Sequence, residues 1–403
     1  MSAPTSQTAA PAFPWIGLLT LAGAIFASVT SEFLPTGLLP DMARDLDVSI
    51  SRAGLLVTIF AGTVVVATTP LAALTRKYSR KTLVVVVLLI IALANVLAAI
   101  APTYEILVGA RILGGLAHGL FWAVVAAYSA HLVPKHQLGR AVAITSGGAS
   151  AAFVLGVPVG TALGHALDWR AAFMIIAAVV LLLALAVVKF LPPVNHHVTL
   201  RTGEIPLPLY KDRSVTGVVL LCIVIVVLVT GQNIFYTYIA PWLTDVARFP
   251  DTSVAFLLFL YGGAGAIGLV LAGFAADRFP KRGFIGAVAA VMLAVLVLAL
   301  FSANPVIVVS AFVVWGVAFG GIPAMLQTRM LHTASFRVRD LAAALQTTAF
   351  NVGIGGGALL GGLLLDGIGI GELPTVQIAF LAVALVLSVG VDAVRHARAR
   401  KRA

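Results

Sequence analysis

Long apolar runs alternate with short polar segments along the whole chain, and this pattern predicts membrane-spanning helices. Each run holds about 20 residues or more, the length that an α-helix needs to cross a bilayer. Twelve runs can be counted, at approximately 15–39, 53–74, 82–101, 105–129, 140–164, 171–191, 215–240, 254–275, 283–302, 305–328, 341–365 and 374–394. An even number of crossings places both termini on the same side of the membrane.

Composition supports this prediction. The chain has 403 residues, of which 61% are hydrophobic and 10% charged, and its mean hydropathy is +1.07. Soluble domains carry about 25% charged residues. The first residues contain no Lys or Arg and so lack the basic region of a signal peptide, which predicts that the first apolar run is retained as a helix. We predict an all-α membrane protein with twelve transmembrane helices.

The distribution of basic residues predicts the orientation. With both termini in the cytoplasm, 21 of the 26 Lys and Arg residues fall in inner loops and the tail, and only four fall in outer loops. This is the asymmetry of the positive-inside rule. The net charge of +11 therefore indicates membrane topology and contact of basic residues with lipid headgroups, and it does not indicate nucleic-acid binding.

One long polar stretch divides the chain near its middle. It predicts five parts: a tail (1–14), a six-helix bundle (15–191), a cytoplasmic linker (192–214), a second six-helix bundle (215–394) and a basic tail (395–403). His196 and His197 lie in the linker without a partner cluster, which indicates solvated loop residues rather than a metal site.

The two bundles show an internal repeat. Five glycines of the first half have a glycine 201 positions later, and three basic loop residues have a basic partner at the same offset. This predicts two six-helix halves duplicated in parallel orientation. The glycine pairs begin at Gly62, Gly115, Gly119, Gly156 and Gly160, and the basic pairs at Lys77, Arg80 and Lys81.

The fourth run carries charged and titratable groups at membrane depth. Arg111, Gly115, His118 and Trp122 share one helical face. A charge at the bilayer centre costs about 2.5–3.5 kcal/mol or more unless it faces a protein interior or a water-filled cavity. We therefore predict that this helix lines a translocation pathway.

Glu32 is the only acidic residue well inside any predicted span. A carboxyl group at this depth is a candidate for proton exchange. Pro35 interrupts the helix just beyond it and frees backbone carbonyls beside the site. We expect Glu32 and His118 to be wetted by a central cavity and to exchange protons. Two alternatives stay open: Glu32 pairs permanently with Arg111 as a structural bridge, or His118 is a satisfied core histidine.

The second half supplies polar and aromatic groups without a deep charge. We predict substrate contacts at Asn233 and Tyr236 in the seventh run and at Gln346 and Asn351 in the eleventh, because amides beside aromatic rings suit hydroxyl-rich or amphiphilic solutes. Trp122 would complete the site by stacking on a ring of the substrate. The alternative is that these groups make only contacts between helices, or that Trp122 faces lipid.

These motifs resemble the major facilitator superfamily, specifically its drug/proton antiporters. Gly273, Asp277, Arg278, Lys281 and Arg282 match the cytoplasmic loop signature of that family. The first-half copy retains Arg80 but has Arg76 in place of the acidic residue. A glycine–proline pattern in the fifth run matches the antiporter signature. The segments Glu32–Pro40 and Ala117–Trp122 are similar to bacterial sugar-efflux transporters of the arabinose and thiogalactoside type.

The resemblance implies roles for further residues. In the family, the loop signature closes the cytoplasmic side through salt bridges, which assigns gating to Asp277, Arg278 and Arg80. The fifth-helix pattern assigns conformational roles to Gly156, Pro158 and Gly160. Proline bends the helix, and the glycines are expected to allow close contact with the other half.

The expected function is transport rather than catalysis, because no catalytic signature or nucleotide-binding loop is present. The resemblance implies a monomeric, cofactor-free antiporter of a bacterial inner membrane that exports small sugars by alternating access, driven by the proton gradient. Its partners would be the solute, protons and lipid. A multidrug, chloramphenicol or nucleoside exporter of the same fold is the alternative, and a non-transporting sensor or scaffold is a distant one.

Overall fold

The computed structural model of the protein describes residues 13–75, 77–134, 137–192, 212, 214–335 and 338–400. Most of the predicted linker, with His196 and His197, and Arg76 of the first loop lie outside the described residues. The described part contains helices and no strands, and twelve helices are long and apolar enough to cross a membrane. The predicted all-α class and the number of spans are confirmed.

Six transmembrane helices form the first half. They are α1 (Trp15–Asp45), α2 (Ile50–Leu74), α3 (Arg80–Ala99), α4 (Tyr104–Leu132), α5 (Leu138–Ala151, a π-helical turn Ala152–Gly156, and Val157–Ala166) and α6 (Trp169–Phe190).

Six more form the second half. They are α7 (Val215–Tyr236, continued by Ile239–Asp245), α8 (Asp251–Arg278), α9 (Pro280–Leu300), α10 (Pro305–Gly320, continued by Ile322–Thr333), α11 (Arg339–Ile368) and α12 (Leu373–Arg400), which follows a short 3₁₀ turn at Ile370–Glu372. Several helices extend beyond the apolar runs because their polar ends remain helical in the interfacial region, as α1 does through Asp41 and Arg44.

Proline shapes α5. Pro158 has no backbone N–H to donate along the helix, and the turn immediately before it widens into a π-helical segment. The backbone N–H of Val157 donates to the carbonyl oxygen of Ala152, five residues earlier. Turns of this kind bend a helix at a defined place.

The predicted repeat is reproduced in three dimensions. A Cβ atom built on Gly115 would lie 2.7 Å from the carbonyl oxygen of Phe60, and one built on Gly316 would lie 2.5 Å from that of Tyr261. Both members of the first contact are 201 positions before those of the second. The α2–α4 contact of the first half is therefore repeated as the α8–α10 contact of the second.

The partner of the α5 glycines differs from the expectation. A Cβ on Gly156 would collide with the Thr30 side chain, and one on Gly160 would lie 2.5 Å from a methyl group of Leu34. Both partners are on α1 of the same half, so the close approach that these two glycines allow is to α1, although the same stretch of α5 also contacts α8 of the second half. Gly262 of α8 allows that second contact, because a Cβ there would collide with the backbone of Phe153.

The halves meet at one end of the bundle. Thr58 Oγ1 on α2 donates a hydrogen bond of 3.1 Å to the carbonyl oxygen of Gly355 on α11. Gly54 packs against the hydroxyl group of Tyr238, and a Cβ on Gly362 would lie 3.4 Å from the carbonyl oxygen of Ser51. These residues are in the first part of α2 and the last part of α11, so this end is the one that carries the α1–α2 loop.

The opposite end of the interface is more open. Near the start of α11, Thr347 is exposed, and a Cβ on Gly147 near the start of α5 would meet no atom within 4 Å. The basic α2–α3 loop is at this end. Helix α8 packs on the π-helical turn and the last part of α5 but hardly on its first part, Leu138–Ala151. The halves therefore separate toward the side on which the basic loops lie.

Candidate functional site

The site is built around the middle of α1, where Pro35 lies inside an otherwise continuous helix. Pro35 lies inside this helix and has no N–H to donate to the carbonyl oxygen of Ser31, four residues earlier. Arg111 on α4 supplies the missing donor: its Nη1 donates to the Ser31 carbonyl at 2.9 Å, and its Nη2 donates to the Glu32 carbonyl at 2.9 Å. The expectation that Pro35 frees a carbonyl beside Glu32 is confirmed. The predicted interruption of the helix is wrong, because α1 continues through Pro35 to Asp45.

Arg111 is buried among further electron-rich groups. Only 3% of the residue is exposed, and its guanidinium carbon lies 4.2 Å from the centre of the Phe60 ring. Carbonyl dipoles and an aromatic face stabilise a desolvated cation. Arg111 therefore holds α4 against α1 and packs on α2, and its guanidinium group donates to backbone carbonyls of both helices.

The carboxyl group of Glu32 contacts His118 instead. Glu32 Oε2 lies 3.3 Å from His118 Nε2, and their side chains are 7% and 3% exposed. The alternative in which Glu32 pairs with Arg111 is therefore met only in part. Arg111 does bond to Glu32, but to its backbone carbonyl and not to its carboxyl group. The two side chains predicted to exchange protons are adjacent to each other, with the Arg111 cation bound to the same stretch of α1.

The imidazole of His118 has two other partners. Its Nδ1 lies 2.8 Å from Ser28 Oγ on α1. Its Nε2 accepts a hydrogen bond of 2.8 Å from Trp122 Nε1, one turn further along α4. The rings of Phe60 and His118 meet edge to face, with their centroids 5.3 Å apart. Each edge of the imidazole is therefore occupied.

Solvent access differs from the sequence-based expectation. Glu32 and His118 were expected to be wetted by a central cavity, but both residues are buried in this conformation. Trp122 is the partly buried member of the group. Any proton that reaches the pair must therefore do so through a change in this packing.

Sequence reasoning missed two polar residues that complete the site. Ser28 lies four residues before Glu32, a spacing that places both on one face of α1 and that could have revealed it. Asn95 is a buried polar residue in the last part of α3. It accepts a hydrogen bond of 2.9 Å from Ser31 Oγ, and its Nδ2 donates to the Ile91 carbonyl at 2.8 Å.

The second half contains a buried polar and aromatic cluster, defined here as Gln232, Tyr261, Trp315 and Gln377. Trp315 Nε1 and Gln377 Nε2 both donate to Gln232 Oε1, at 3.1 and 2.9 Å, and Gln232 Nε2 lies 3.0 Å from the Tyr261 hydroxyl. Gln377 and Trp315 have no solvent-exposed surface. Trp315 is thus a core residue and does not face lipid.

The predicted substrate residues of this half are only partly brought together. Tyr236 packs against the cluster, with its ring 5.1 Å from that of Tyr261. Asn233 and Asn351 are buried, and each donates through Nδ2 to a carbonyl of its own helix. Asn351 Oδ1 is buried without a hydrogen-bond partner among the described residues, whereas Gln346 is half-buried.

The predicted gating residues lie at the ends of their helices. Ser79 caps α3 immediately before Arg80, and the neighbouring Lys81 donates from Nζ to the Val188 carbonyl at 2.8 Å. Arg278 is exposed at the end of α8. The side chain of Asp277 lies outside the described residues, so its role in a latch stays a prediction.

Comparison with known families agrees with this architecture. The family described as Major Facilitator Superfamily matches residues 21–355 and, in a second match, residues 221–402. The chain belongs to the major facilitator superfamily. Membership of this family, together with the twelve-helix fold, makes it a multi-pass membrane transporter.

Solved structures share the fold at low sequence identity. Two are of a bacterial homologue of the human lysosomal transporter Spinster in inward-facing conformations. The unoccupied and occupied forms are each 15% identical, cover 95% of this chain and 97% of their own, and have TM-scores of 0.75 and 0.77. A variant of the nucleoside transporter NupG is 16% identical, covers 93% of this chain and 98% of its own, and has a TM-score of 0.72.

Proposed function

We propose that this chain is a proton-coupled antiporter that exports small sugars or sugar-like solutes by alternating access. The observation that carries the proposal is the pair formed by Glu32 and His118, whose side chains lie 3.3 Å apart in the interior of the first half. Buried ionisable groups in a membrane are costly and mark ion pathways and proton relays. The second half shows hydrogen-bonding amides and aromatic rings at its corresponding depth.

The repeat explains how the two tasks are divided between the halves. Position 32 corresponds to Asn233, 201 residues later, and position 111 corresponds to Phe312. The second half thus has an amide and an aromatic ring where the first has a carboxyl group and a guanidinium group. Proton exchange is assigned to the first half, while the second half contributes neutral groups to the substrate site.

The basic loops support the orientation proposed here. With these loops in the cytoplasm of a bacterial cell, the conformation described here opens inward and is closed outside. A solute would enter from the cytoplasm, and the halves would then rock to expose it outside. Proton binding at Glu32 from the outer side would favour the return to the inward-open conformation. The size of this effect can be no larger than the difference in proton-binding free energy between the inward-open and outward-open conformations.

The polar groups of the second half support a hydroxyl-rich substrate. Asn351 Oδ1 is a buried acceptor without a partner among the described residues, and such groups carry a cost that a ligand donor can remove. A sugar hydroxyl group is a donor of this kind. Gln346 lies near it on α11, and Trp122 offers a partly buried indole ring from the first half.

A nucleoside is the second candidate. It also carries sugar hydroxyl groups and adds a planar base that an indole can stack upon. The structural similarity to NupG supports considering this class, although that likeness concerns the fold. Chloramphenicol-like drugs fit the same amphiphilic description.

A stabilisation screen identifies the ligand. The purified protein is heated with sugars, nucleosides and antibiotics, because a ligand at 100 times its Kd adds about 2.7 kcal/mol to the stability of a one-site protein. Transport of the best ligand is then measured in vesicles for the wild type, Glu32→Gln and His118→Ala. Full proton-driven transport in both variants would remove the proposed coupling, and stabilisation by none of the compounds would remove the proposed substrate classes.

A further inference from the structure

Hydrogen-bond chemistry restricts where protons can sit around His118. Trp122 Nε1 is a donor only, and it lies 2.8 Å from His118 Nε2. This bond requires a lone pair on Nε2, so Nε2 carries no hydrogen. In the neutral imidazole the hydrogen is then on Nδ1, where Ser28 Oγ accepts it at 2.8 Å. The contacts together define one tautomer.

Glu32 lies at the same edge of the imidazole as Trp122. Its Oε2 lies 3.3 Å from the same nitrogen. An ionised carboxylate facing a lone pair would be repelled, whereas a protonated carboxyl group can direct its O–H toward it. The contacts described here therefore match a neutral His118 and a protonated Glu32, so the site holds its exchangeable proton on the carboxyl group.

We propose that Trp122 is a positioning residue that keeps this proton on Glu32 by occupying the Nε2 lone pair of His118. When the indole turns away, Nε2 becomes free to accept the proton from Glu32 Oε2, which leaves a carboxylate and an imidazolium. Trp122 is partly buried, so a solute that contacts its ring can drive this movement. The step in which a solute moves Trp122 and so releases the proton rests on the proposed function. The assignment of the His118 tautomer does not.

Other charged groups do not account for the tautomer. Among the described contacts, the titratable or charged groups facing His118 are Glu32 from α1 and Arg111 from its own helix, while α2 presents the Phe60 ring. Arg111 lies two turns away along α4 and directs its donors to the Ser31 and Glu32 carbonyls. Trp122 is the group that distinguishes one edge of the imidazole from the other.

Nitrogen NMR of purified protein containing ¹⁵N-labelled histidine tests the inference without any substrate. Loss of a signal in His118→Gln assigns His118. The wild type should show an unprotonated Nε2 and a protonated Nδ1. Trp122→Phe keeps an aromatic ring but loses the N–H, and it should show a several-fold larger fraction of His118 protonated at Nε2 at the same pH. Trp315→Phe removes an indole N–H from the second half and should leave His118 unchanged.

Two results would overturn the inference. One is an identical His118 tautomer and titration in the wild type and Trp122→Phe. The other is a protonated Nε2 in the wild type, which needs only the His118→Gln assignment and so decides the matter even where Trp122→Phe does not fold. Both differ from failure of the proposed function, which would appear as unchanged proton-driven transport in Glu32→Gln.

Discussion

The guanidinium group of Arg111 donates to the carbonyl oxygen of Ser31 at 2.9 Å, and this carbonyl is the one that Pro35 leaves without a helical donor. A proline on one helix is thus matched by a cation on another. Arg111 holds the backbone of Glu32 in place, and the carboxyl group of Glu32 is left to contact His118. The buried charge has a structural task, which is to fix the geometry of the Glu32–His118 pair.

Replacement of Arg111 by lysine should therefore weaken the fold. A lysine ammonium group cannot reproduce the planar, two-pronged contact with both carbonyls, and loss of a charged hydrogen bond costs about 2 kcal/mol. The measurement is the apparent Tm of the purified protein. Arg52→Lys is the matched control, because Arg52 forms an exposed ion pair with Glu105 and should change Tm little. Equal Tm values for Arg111→Lys and the wild type would contradict the structural role.

The packing of α5 on α1 predicts a contrast between two glycines. Gly156→Ala would place a methyl group against the side chain of Thr30, and overpacking of this kind costs about 1–3 kcal/mol. Gly147→Ala meets open space and should be neutral or slightly stabilising, since alanine favours a helix more than glycine. Apparent Tm values of the two variants test this. If the two shifts were the same, the close α1–α5 contact would not exist.

The cluster of the second half predicts a destabilising substitution far from any proton site. Gln232→Leu would leave the indole N–H of Trp315 and the amide of Gln377 without their common acceptor. Each unsatisfied buried group costs about 1–3 kcal/mol. We expect a lower Tm with unchanged coupling in the protein that remains folded. Loss of coupling at full stability would instead place Gln232 in the transport machinery.

The conformation of the bundle predicts a pattern of cysteine accessibility. Cys222 is the single cysteine, so Cys222→Ser provides the background. In that background, Thr347→Cys should react with a membrane-impermeant thiol reagent applied from the side of the basic loops. Thr58→Cys lies between the halves at the end that carries the α1–α2 loop, and it should be protected from the same reagent applied from that end. Gly262→Leu disrupts the contact with Phe153 and should expose Thr58→Cys. Fast labelling at position 58 without that substitution would mean that the halves are not closed at this end.

Much of this architecture can be predicted from the sequence because hydrophobic length and period are local signals. The twelve spans, the repeat and the carbonyl freed by Pro35 all follow from spacing along the chain. The partner of Gly156 cannot be obtained in this way, since small residues permit close approach by any helix and do not specify which one. Whether Glu32 reaches solvent depends on the conformation of the whole bundle, and this is why the expected wetting is absent here.

The contacts of His118 mark another limit. The spacing correctly places Trp122 on the same face of α4 as His118. From that spacing we predicted only that the Trp122 ring stacks on a substrate. The hydrogen bond from its N–H to Nε2 depends on the side-chain rotamers of both residues, and these cannot be read from a single sequence. Ser28 has the helical spacing to Glu32 that could have revealed it.

The central claim is that Glu32 carries the proton that drives export, and coupled transport in vesicles tests it most directly. Purified wild type and Glu32→Gln are reconstituted with the ligand found by the stabilisation screen, and accumulation is measured with and without an imposed pH gradient. We predict that the wild type accumulates the ligand only with the gradient, whereas Glu32→Gln equilibrates it without accumulation. Gradient-driven accumulation by Glu32→Gln at the wild-type level would contradict the account.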